Sequence, residues 1–106
     1  NISASPNISR KNFEILFPAR AVENGYFVAY CNVAGTQEDL VFWGGSQVWG
    51  PRGDQKVLAP YTDPSLVTVE IDEAEIDAAR PLRPTLRDTR DDILAVVAET
   101  LKRLQR

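Results

Sequence analysis

Two features of the sequence decide which nucleophilic chemistry the chain could contain: its single cysteine and its lack of histidine. Among the 106 residues there is one cysteine, Cys31, and no histidine. Ser-His and Cys-His dyads and histidine-based metal sites are therefore excluded within this chain. Cys31 lies in an apolar stretch, residues 26–33, where a cysteine behaves as a small hydrophobic side chain. We expect a buried, structural Cys31, and neither a catalytic residue nor a metal site in the chain.

The overall composition excludes several classes of partner. Hydrophobic residues make up 43% and charged residues 25% of the chain, which is typical of one globular domain at most. The net charge is −3 and the basic residues are dispersed, so we expect no nucleic-acid partner. No stretch approaches the ~20 apolar residues of a membrane span, so no membrane partner is expected. A single cysteine rules out an intrachain disulfide, which fits a reducing, cytoplasmic location.

The first element that must position any polar side chains is a helix, predicted at residues 9–24. Pro18 falls inside it and should kink it, because proline removes a helical hydrogen bond. Gly25 is well placed to end the helix in a left-handed conformation. One side of this helix is expected to carry Phe13, Leu16, Phe17, Ala21 and Asn24.

The middle of the chain predicts short strands. The clearest is at residues 26–33, which are continuous, aromatic and β-branched. A glycine-containing turn at residues 50–54 indicates a hairpin between its flanking segments. The other expected elements are a polar loop at 34–39, an apolar run at 40–43, the hairpin strands at 46–49 and 56–59, and a strand at 66–71.

The C-terminal part predicts two further helices. Asp72 and Glu75 resemble a capping box for a short helix that ends near Arg80. After the prolines that follow, an extended segment is expected to run to Thr89. The last helix is predicted at residues 91–106, and its apolar stripe requires a surface to cover, which could belong to another chain. That stripe consists of Ile93, Leu94, Val97, Leu101 and Leu104.

Four segments, in order along the chain, resemble the second half of the nitrilase-superfamily domain. The first is Asn-Ile-Ser-Ala-Ser-Pro at residues 1–6, and the second is Arg-Ala-Val-Glu-Asn-Gly at 20–25. The third is Asn-Val-Ala-Gly at 32–35 together with Phe-Trp-Gly-Gly-Ser at 42–46. The fourth is Leu-Arg-Asp-Thr-Arg at 86–90. Each segment alone is a weak signal, but the ordered set covers most of the chain.

This resemblance implies an α/β fold, the C-terminal half of an α-β-β-α sandwich with a C-terminal helical tail. Residues 1–80 would form the half domain, and residues 81–106 an extended segment and helix that contact another subunit. The family hydrolyses non-peptide C–N bonds with a Glu-Lys-Cys triad, in which the thiolate attacks, the glutamate transfers the proton and the lysine stabilises developing charge. By the family's order, all three triad residues lie upstream of Asn1.

The resemblance also implies three substrate-binding residues: Ser5, Lys11 and Trp43. In glutamine-hydrolysing relatives, a serine of the Ser-Pro loop and a lysine six residues later contact the substrate, and both types occur here at that spacing. A hydroxyl and an ammonium group can bind a carboxylate or polar head. The alternative is a turn serine and a solvated lysine. Trp43 would form a pocket wall, with simple packing as its alternative.

We therefore expect the C-terminal portion of an amidase-like carbon–nitrogen hydrolase that acts on a small non-peptide amide without a cofactor. Whether the chain belongs to an active enzyme stays open, because the triad is missing from it. One alternative is a non-catalytic scaffold of the same fold, and another is the glutaminase portion of a glutamine-dependent synthetase. The expected partners are the amide substrate in the complete protein and either further copies, forming a homo-oligomer, or the N-terminal half of the domain.

Overall fold

Three helices and five short strands make up the chain. The computed structural model of the protein describes residues 3–6 and 8–105, so the first two residues of the 1–6 segment and the final residue of the predicted last helix lie outside it. In chain order the elements are α1 (Ser9–Asn24), β1 (Val28–Tyr30), β2 (Ala34–Gln37), β3 (Leu40–Trp43), β4 (Gln47–Trp49), β5 (Gln55–Leu58), α2 (Glu73–Ala79) and α3 (Asp91–Leu104).

Helix α1 has the bounds that the sequence predicts. Pro18 lies within it, and the helix continues past this residue. Gly25 ends it with φ 59°, and its N–H donates to the carbonyl oxygen of Ala21, as expected of a left-handed cap. Phe17 and Ala21 are buried, whereas Leu16 on the predicted apolar side is 41% exposed.

The central sheet has the order β1-β4-β5, and all its pairs are antiparallel. Strands β4 and β5 form the predicted hairpin. Its turn is closed by the N–H of Gly50, which donates to the carbonyl oxygen of Asp54 at 2.8 Å. Gly53 has φ 82°, a backbone conformation that glycine adopts without strain. The prediction of this hairpin from its turn is therefore confirmed.

A second, two-stranded sheet replaces the polar loop predicted at residues 34–39. Strand β2 pairs antiparallel with β3, and Ala34 lies opposite Trp43. The loop prediction was wrong because it followed the polar composition, whereas the backbone of β2 pairs with the apolar strand beside it. The turn between the strands places Glu38 at φ 54°, exposed at the hairpin tip.

An aromatic core lies between α1 and the strands. Phe17, Tyr30 and Trp43 are buried, and Phe13 packs against them. The ring centroids of Phe17 and Tyr30 are 4.5 Å apart, and those of Tyr30 and Trp43 are 5.4 Å apart. These distances are in the range of favourable aromatic pairs, so this cluster holds the helix layer onto the sheet layer.

The face of the sheet opposite α1 is largely open, which overturns the expectation of a buried Cys31. Side chains alternate along β1, so Tyr30 points to the core while Ala29 is exposed on the other face. Cys31, the next residue on that face, is exposed. A cavity of about 250 Å³ borders this face, lined in part by Leu66 and Val67.

The strand predicted at residues 66–71 does not form. No backbone hydrogen bond joins this segment to a strand within the described part of the chain. Leu66 is 92% exposed and Ile71 is 51% exposed. β-Propensity favours a strand only where a partner strand supplies the ladder, and the described residues provide no such partner for residues 66–71.

Helix α2 begins as predicted, with the Asp72 side chain accepting a hydrogen bond from the N–H of Ala74 at 2.9 Å. The following extended segment, expected up to Thr89, is instead a series of turns. The N–H of Leu82 donates to the carbonyl oxygen of Ala79, and that of Asp88 donates to Pro84. The prediction was wrong because the φ that proline fixes is found in turns as well as in extended backbone.

Helix α3 is separate from the core. It occupies almost the whole range predicted for it, and none of its residues is buried. The described Cα atoms have a radius of gyration of 17.5 Å and extents of 48 × 43 × 17 Å, whereas a compact chain of this length has a radius of about 13 Å. The chain is thus a thin α/β layer with one covered face. No helix among the described residues is long and apolar enough to cross a bilayer.

Candidate functional site

Ser5 lies between the strand-like start of the chain and helix α1. Ala4 forms an antiparallel bridge with Phe42, and the carbonyl oxygen of Ser5 then accepts hydrogen bonds from the N–H groups of Ile8 and Ser9 at 3.1 and 3.0 Å. Ser5 has φ 60°, an uncommon conformation for a residue other than glycine. Its side chain is exposed, so the hydroxyl can reach a ligand at the N-terminal end of α1.

Lys11 lies at the same end of α1 as Ser5. It belongs to the first turn of the helix and is exposed. Within residues 3–6 and 8–105, its amine makes no ion pair or hydrogen bond. The structure therefore brings an exposed hydroxyl and an exposed ammonium group to one end of the helix, where together they could bind a carboxylate.

Trp43 occupies a different position, at the centre of the core. It has no exposed surface, and its ring stacks on those of Phe13 and Tyr30. Its indole N–H donates to the hydroxyl oxygen of Ser3 at 3.2 Å. In this structure Trp43 packs beneath the chain segment that leads to Ser5, and its assignment to a pocket wall stays a prediction.

A buried amide, Asn32, connects this N-terminal segment to the sheet. Its Oδ1 accepts a hydrogen bond from the N–H of Ser3 at 2.8 Å, and its Nδ2 donates to the carbonyl oxygens of Ser3 at 3.2 Å and Gly44 at 3.1 Å. The backbone N–H of Asn32 donates to the hydroxyl of Ser46 at 2.9 Å. In the sequence, Asn32 stands out only as the first residue of the Asn-Val-Ala-Gly segment at 32–35. The signal that could have identified its role is a polar side chain at the end of an apolar strand, which needs buried partners.

The Gly44-Gly45 step brings three chain segments together at this point. Both glycines have positive φ, 61° and 62°. The N–H of Gly44 donates to Val33, and that of Gly45 donates to Pro60, at 3.0 and 3.2 Å. A Cβ atom at Gly45 would lie only 2.7 Å from the ring of Tyr61. The two glycines thus permit a close approach of the backbone segments around Val33 and Pro60.

A charged cluster on α1 includes Arg10 and Glu14, which lie on either side of Lys11 in the sequence. The hydroxyl of Tyr61 donates to the Glu14 carboxylate at 2.5 Å, and the Arg10 guanidinium lies 3.9 Å from the centre of the Tyr61 ring. Arg10 also pairs with Glu14 at 3.3 Å. Burial and the Glu14 carboxylate raise the pKa of Tyr61, which therefore stays protonated at neutral pH. This cluster attaches the loop after β5 to α1.

A second tyrosine, Tyr30, places its hydroxyl in the core near Ser3. Burial raises the pKa of this hydroxyl, and the nearby Ser3 side chain opposes the shift. The Tyr30 hydroxyl has no hydrogen-bond partner among the described residues, so its contact with Ser3 is not an ordinary hydrogen bond. Tyr30 is consequently a neutral packing residue beneath the N-terminal segment.

Other charged side chains form ion pairs with residues close to them in the sequence. Arg20 and Glu23 form the ion pair that their spacing predicts, at 2.8 Å on the exposed side of α1. Arg87 pairs with its neighbour Asp88 at 2.9 Å, and both are exposed. A contact of this segment with another subunit stays a prediction. Among the residues that the structure describes, no group of three or more His, Cys, Asp or Glu side chains could hold a metal ion.

Comparisons with known proteins agree on one family. Residues 3–81 match the carbon-nitrogen hydrolase family. The chain is 37% identical over 84 residues to the glutamine-dependent NAD(+) synthetase of Aquifex aeolicus, covering 77% of this chain and 15% of that protein. It is 37% identical over 83 residues to the 2-oxoglutaramate amidase of Bacillus subtilis, covering 77% of this chain and 31% of that one.

A solved structure supports the same relationship. The amidase of Nesterenkonia AN1, from the nitrilase superfamily, matches with a TM-score of 0.67 and 35% identity, covering 89% of this chain and 31% of that chain. The chain thus spans about a third or less of the length of these relatives.

Proposed function

Because the chain belongs to the carbon–nitrogen hydrolase family, we propose that it supplies the C-terminal part of an amidase that hydrolyses a small non-peptide amide. The observation that carries this proposal is the match over residues 3–81 together with the α/β layer open on one face. That open face would pack against the N-terminal half of the domain. The Glu-Lys-Cys triad would come from that half, with the cysteine as nucleophile, the glutamate as proton carrier and the lysine as electrostatic stabiliser.

The N-terminal end of α1 supports a substrate that carries a carboxylate. Ser5 and Lys11 are both exposed there, and a lysine ammonium binds a carboxylate as a compact positive charge. Two relatives have names that fit such a substrate: one is a 2-oxoglutaramate amidase and the other is a glutamine-dependent synthetase. We therefore favour a short ω-amide with a carboxylate at its other end. Trp43 is retained only as the predicted pocket wall, since it is buried in the core of this structure.

The test compares charged and neutral amides with the complete protein that contains this chain. Ammonia release would be measured with 2-oxoglutaramate, glutamine and acrylamide. In Lys11→Met the KM for a carboxylate-bearing substrate should rise about tenfold, as expected when one charged hydrogen bond is lost. The KM for acrylamide should not change, since acrylamide has no carboxylate.

Lys102→Met is the matched control, because Lys102 is an exposed lysine on α3, away from the site. It should behave as the unmodified protein. Equal effects of the Lys11 substitution on acrylamide and on the charged amides would contradict carboxylate binding. A folded complete protein that releases ammonia from none of these amides would favour the non-catalytic scaffold.

We also propose a cytoplasmic location and a homo-oligomer. The apolar stripe of α3 motivates the second, since Leu94, Val97 and Leu101 are 54%, 48% and 53% exposed. Side chains of this kind are stabilised by covering them. Further copies of the chain or the N-terminal half of the domain are the two partners that could cover them.

A further inference from the structure

Asn32 makes an unusual set of contacts for a side chain at the end of a strand. It is 9% exposed, and its amide makes three hydrogen bonds, two to the backbone of Ser3 and one to Gly44. A side-chain amide that accepts from the N–H and donates to the C=O of one residue makes the same two hydrogen bonds that a paired β-strand residue would make. Asn32 therefore extends the pairing of the sheet onto the N-terminal segment.

That segment requires such a restraint because of the residue that follows it. Ser5 is two positions after Ser3 and has φ 60°. A non-glycine residue in this region is strained and persists only where its surroundings fix it. The side chain of Ser5 makes no hydrogen bond to any described residue, so its neighbours must hold it in place. On the C-terminal side, the carbonyl oxygen of Ser5 accepts the hydrogen bonds from Ile8 and Ser9. On the N-terminal side, the contacts are those of Asn32 with Ser3, of Trp43 with Ser3, and the bridge between Ala4 and Phe42.

We propose that Asn32 is a positioning residue, which fixes the segment 3–5 so that the Ser5 hydroxyl is presented to the substrate. This inference rests on the proposed function, in which Ser5 contacts the amide substrate. Asn32 does not touch the substrate in this scheme. Its effect on substrate binding passes through Ser3 and requires the Ser5 hydroxyl.

Gln47 offers a matched control for simple loss of stability. It is 1% exposed and its amide also makes three hydrogen bonds: to the carbonyl oxygen of Gly45, from the indole N–H of Trp49 and from Gln55. None of these partners belongs to the segment 3–5. Gln47→Ala and Asn32→Ala should therefore lower the thermal unfolding midpoint by similar amounts, because each removes three buried hydrogen bonds.

The experiment is a double-mutant cycle on the complete protein, with 2-oxoglutaramate and glutamine as the substrates used. We expect Ser5→Ala and Asn32→Ala each to raise KM about tenfold, with little change in kcat, since one substrate hydrogen bond is lost in both. We expect the double variant to show the same KM as Ser5→Ala alone. Gln47→Ala should leave KM unchanged. If the effects of the two substitutions on KM multiply in the double variant, Asn32 does not act through Ser5 and the inference is overturned.

A second readout does not depend on turnover. In Asn32→Ala, hydrogen exchange at the amides of Ser3 and Ala4 should become faster than in Gln47→Ala. If Asn32→Ala does not fold, Asn32→Asp keeps an acceptor for the N–H of Ser3 but places a carboxylate opposite the carbonyl oxygens of Ser3 and Gly44, and it should still speed exchange at Ala4. Unchanged exchange at both Ser3 and Ala4 in a folded variant would refute the positioning role.

The substrate contact of Ser5 and the positioning role of Asn32 can be tested separately. If Ser5→Ala leaves KM unchanged, the proposed substrate contact is wrong, whatever Asn32 does. If Ser5→Ala raises KM and Asn32→Ala does not, the substrate contact stands and only the positioning role is overturned.

Discussion

Single residues with buried polar groups or positive φ hold this thin layer together. Asn32 and Gln47 are the two buried polar residues in the part of the chain that the structure describes, and the amide of each makes three hydrogen bonds. Gly44 and Gly45 let the chain bend back toward Pro60 and Tyr61 in the same region. In the proposed positioning role, the conformation around Ser5 thus depends on these neighbouring groups and not on Ser5 alone.

The Gly45 position leads to a prediction about stability. Alanine there requires positive φ and also places a Cβ atom 2.7 Å from the Tyr61 ring and 3.0 Å from Trp43. We expect Gly45→Ala to lower the free energy of unfolding by at least about 1 kcal/mol, the lower limit for such strain. Gly35→Ala is the control, since Gly35 has φ 102° but its nearest neighbour is 3.7 Å away. Equal thermal midpoints for the two variants would show that the clash at Gly45 is absent.

For single residues, the sequence identifies candidate side chains better than it predicts what surrounds them. The family resemblance implies roles for Ser5 and Lys11, and the structure brings both to one end of α1. Cys31 was expected to be buried because its neighbours are apolar, but burial depends on what covers the outer face of the sheet. Asn32 could not be assigned a partner from sequence, since Ser3 is 29 residues away.

Between elements, one cross-link attaches α2 to the β4–β5 hairpin. Lys56 of β5 pairs with Asp54 at 2.8 Å and with Glu75 of α2. The hydrogen bond with Lys56 is the main cause that lowers the pKa of Asp54 below its ordinary 3.8, and the same bond raises the pKa of Lys56 above 10.5. Glu75, predicted as part of a capping box, thus uses its side chain for this tertiary contact instead.

We predict that Lys56→Met loosens α2. Hydrogen-exchange protection of the α2 amides should fall, whereas Lys102→Met, at an exposed lysine of α3, should have no effect. In the unmodified protein this protection should be constant between about pH 5 and pH 10. It should weaken as the pH rises through the raised pKa of Lys56, because Lys56 then loses the charge that pairs with Glu75 of α2. Protection that varies between pH 5 and 9 would contradict this assignment.

Elements that form through local contacts were predictable, and those that need a distant partner were not. Helix α1 has the predicted bounds because its periodic pattern and its Gly25 cap are local signals. The β4–β5 hairpin likewise follows from its turn. In contrast, residues 66–71 have strand-like composition but no strand partner in the described part of the chain, and β2 is a strand despite its polar composition.

The whole molecule is a layer that is incomplete by itself. Its 17 Å smallest extent matches one helix layer on one sheet, and α3 contributes no buried residue. The open face of the sheet, which includes Ala29 and Cys31, lies opposite the face covered by α1. A family domain whose relatives are about three times longer or more accounts for both features, because the missing layers would cover them.

We propose that the catalytic nucleophile is supplied from outside this chain and that Cys31 is not the nucleophile. Fluoroacetamide tests this directly, because its acetamide moiety adds covalently at the active-site cysteine in a variant of the Nesterenkonia amidase. For the thiolate sulfur to bond to the acetamide carbon, fluoride must leave. Because an intact amidase would instead hydrolyse this amide, the complete protein with its upstream triad glutamate changed to glutamine would be treated with fluoroacetamide, and peptide mass spectrometry would locate the adduct.

We predict one adduct, on a cysteine upstream of residue 1, and the same extent of labelling in Cys31→Ala. An adduct on Cys31, or loss of both labelling and ammonia release in a folded Cys31→Ala variant, would contradict the account.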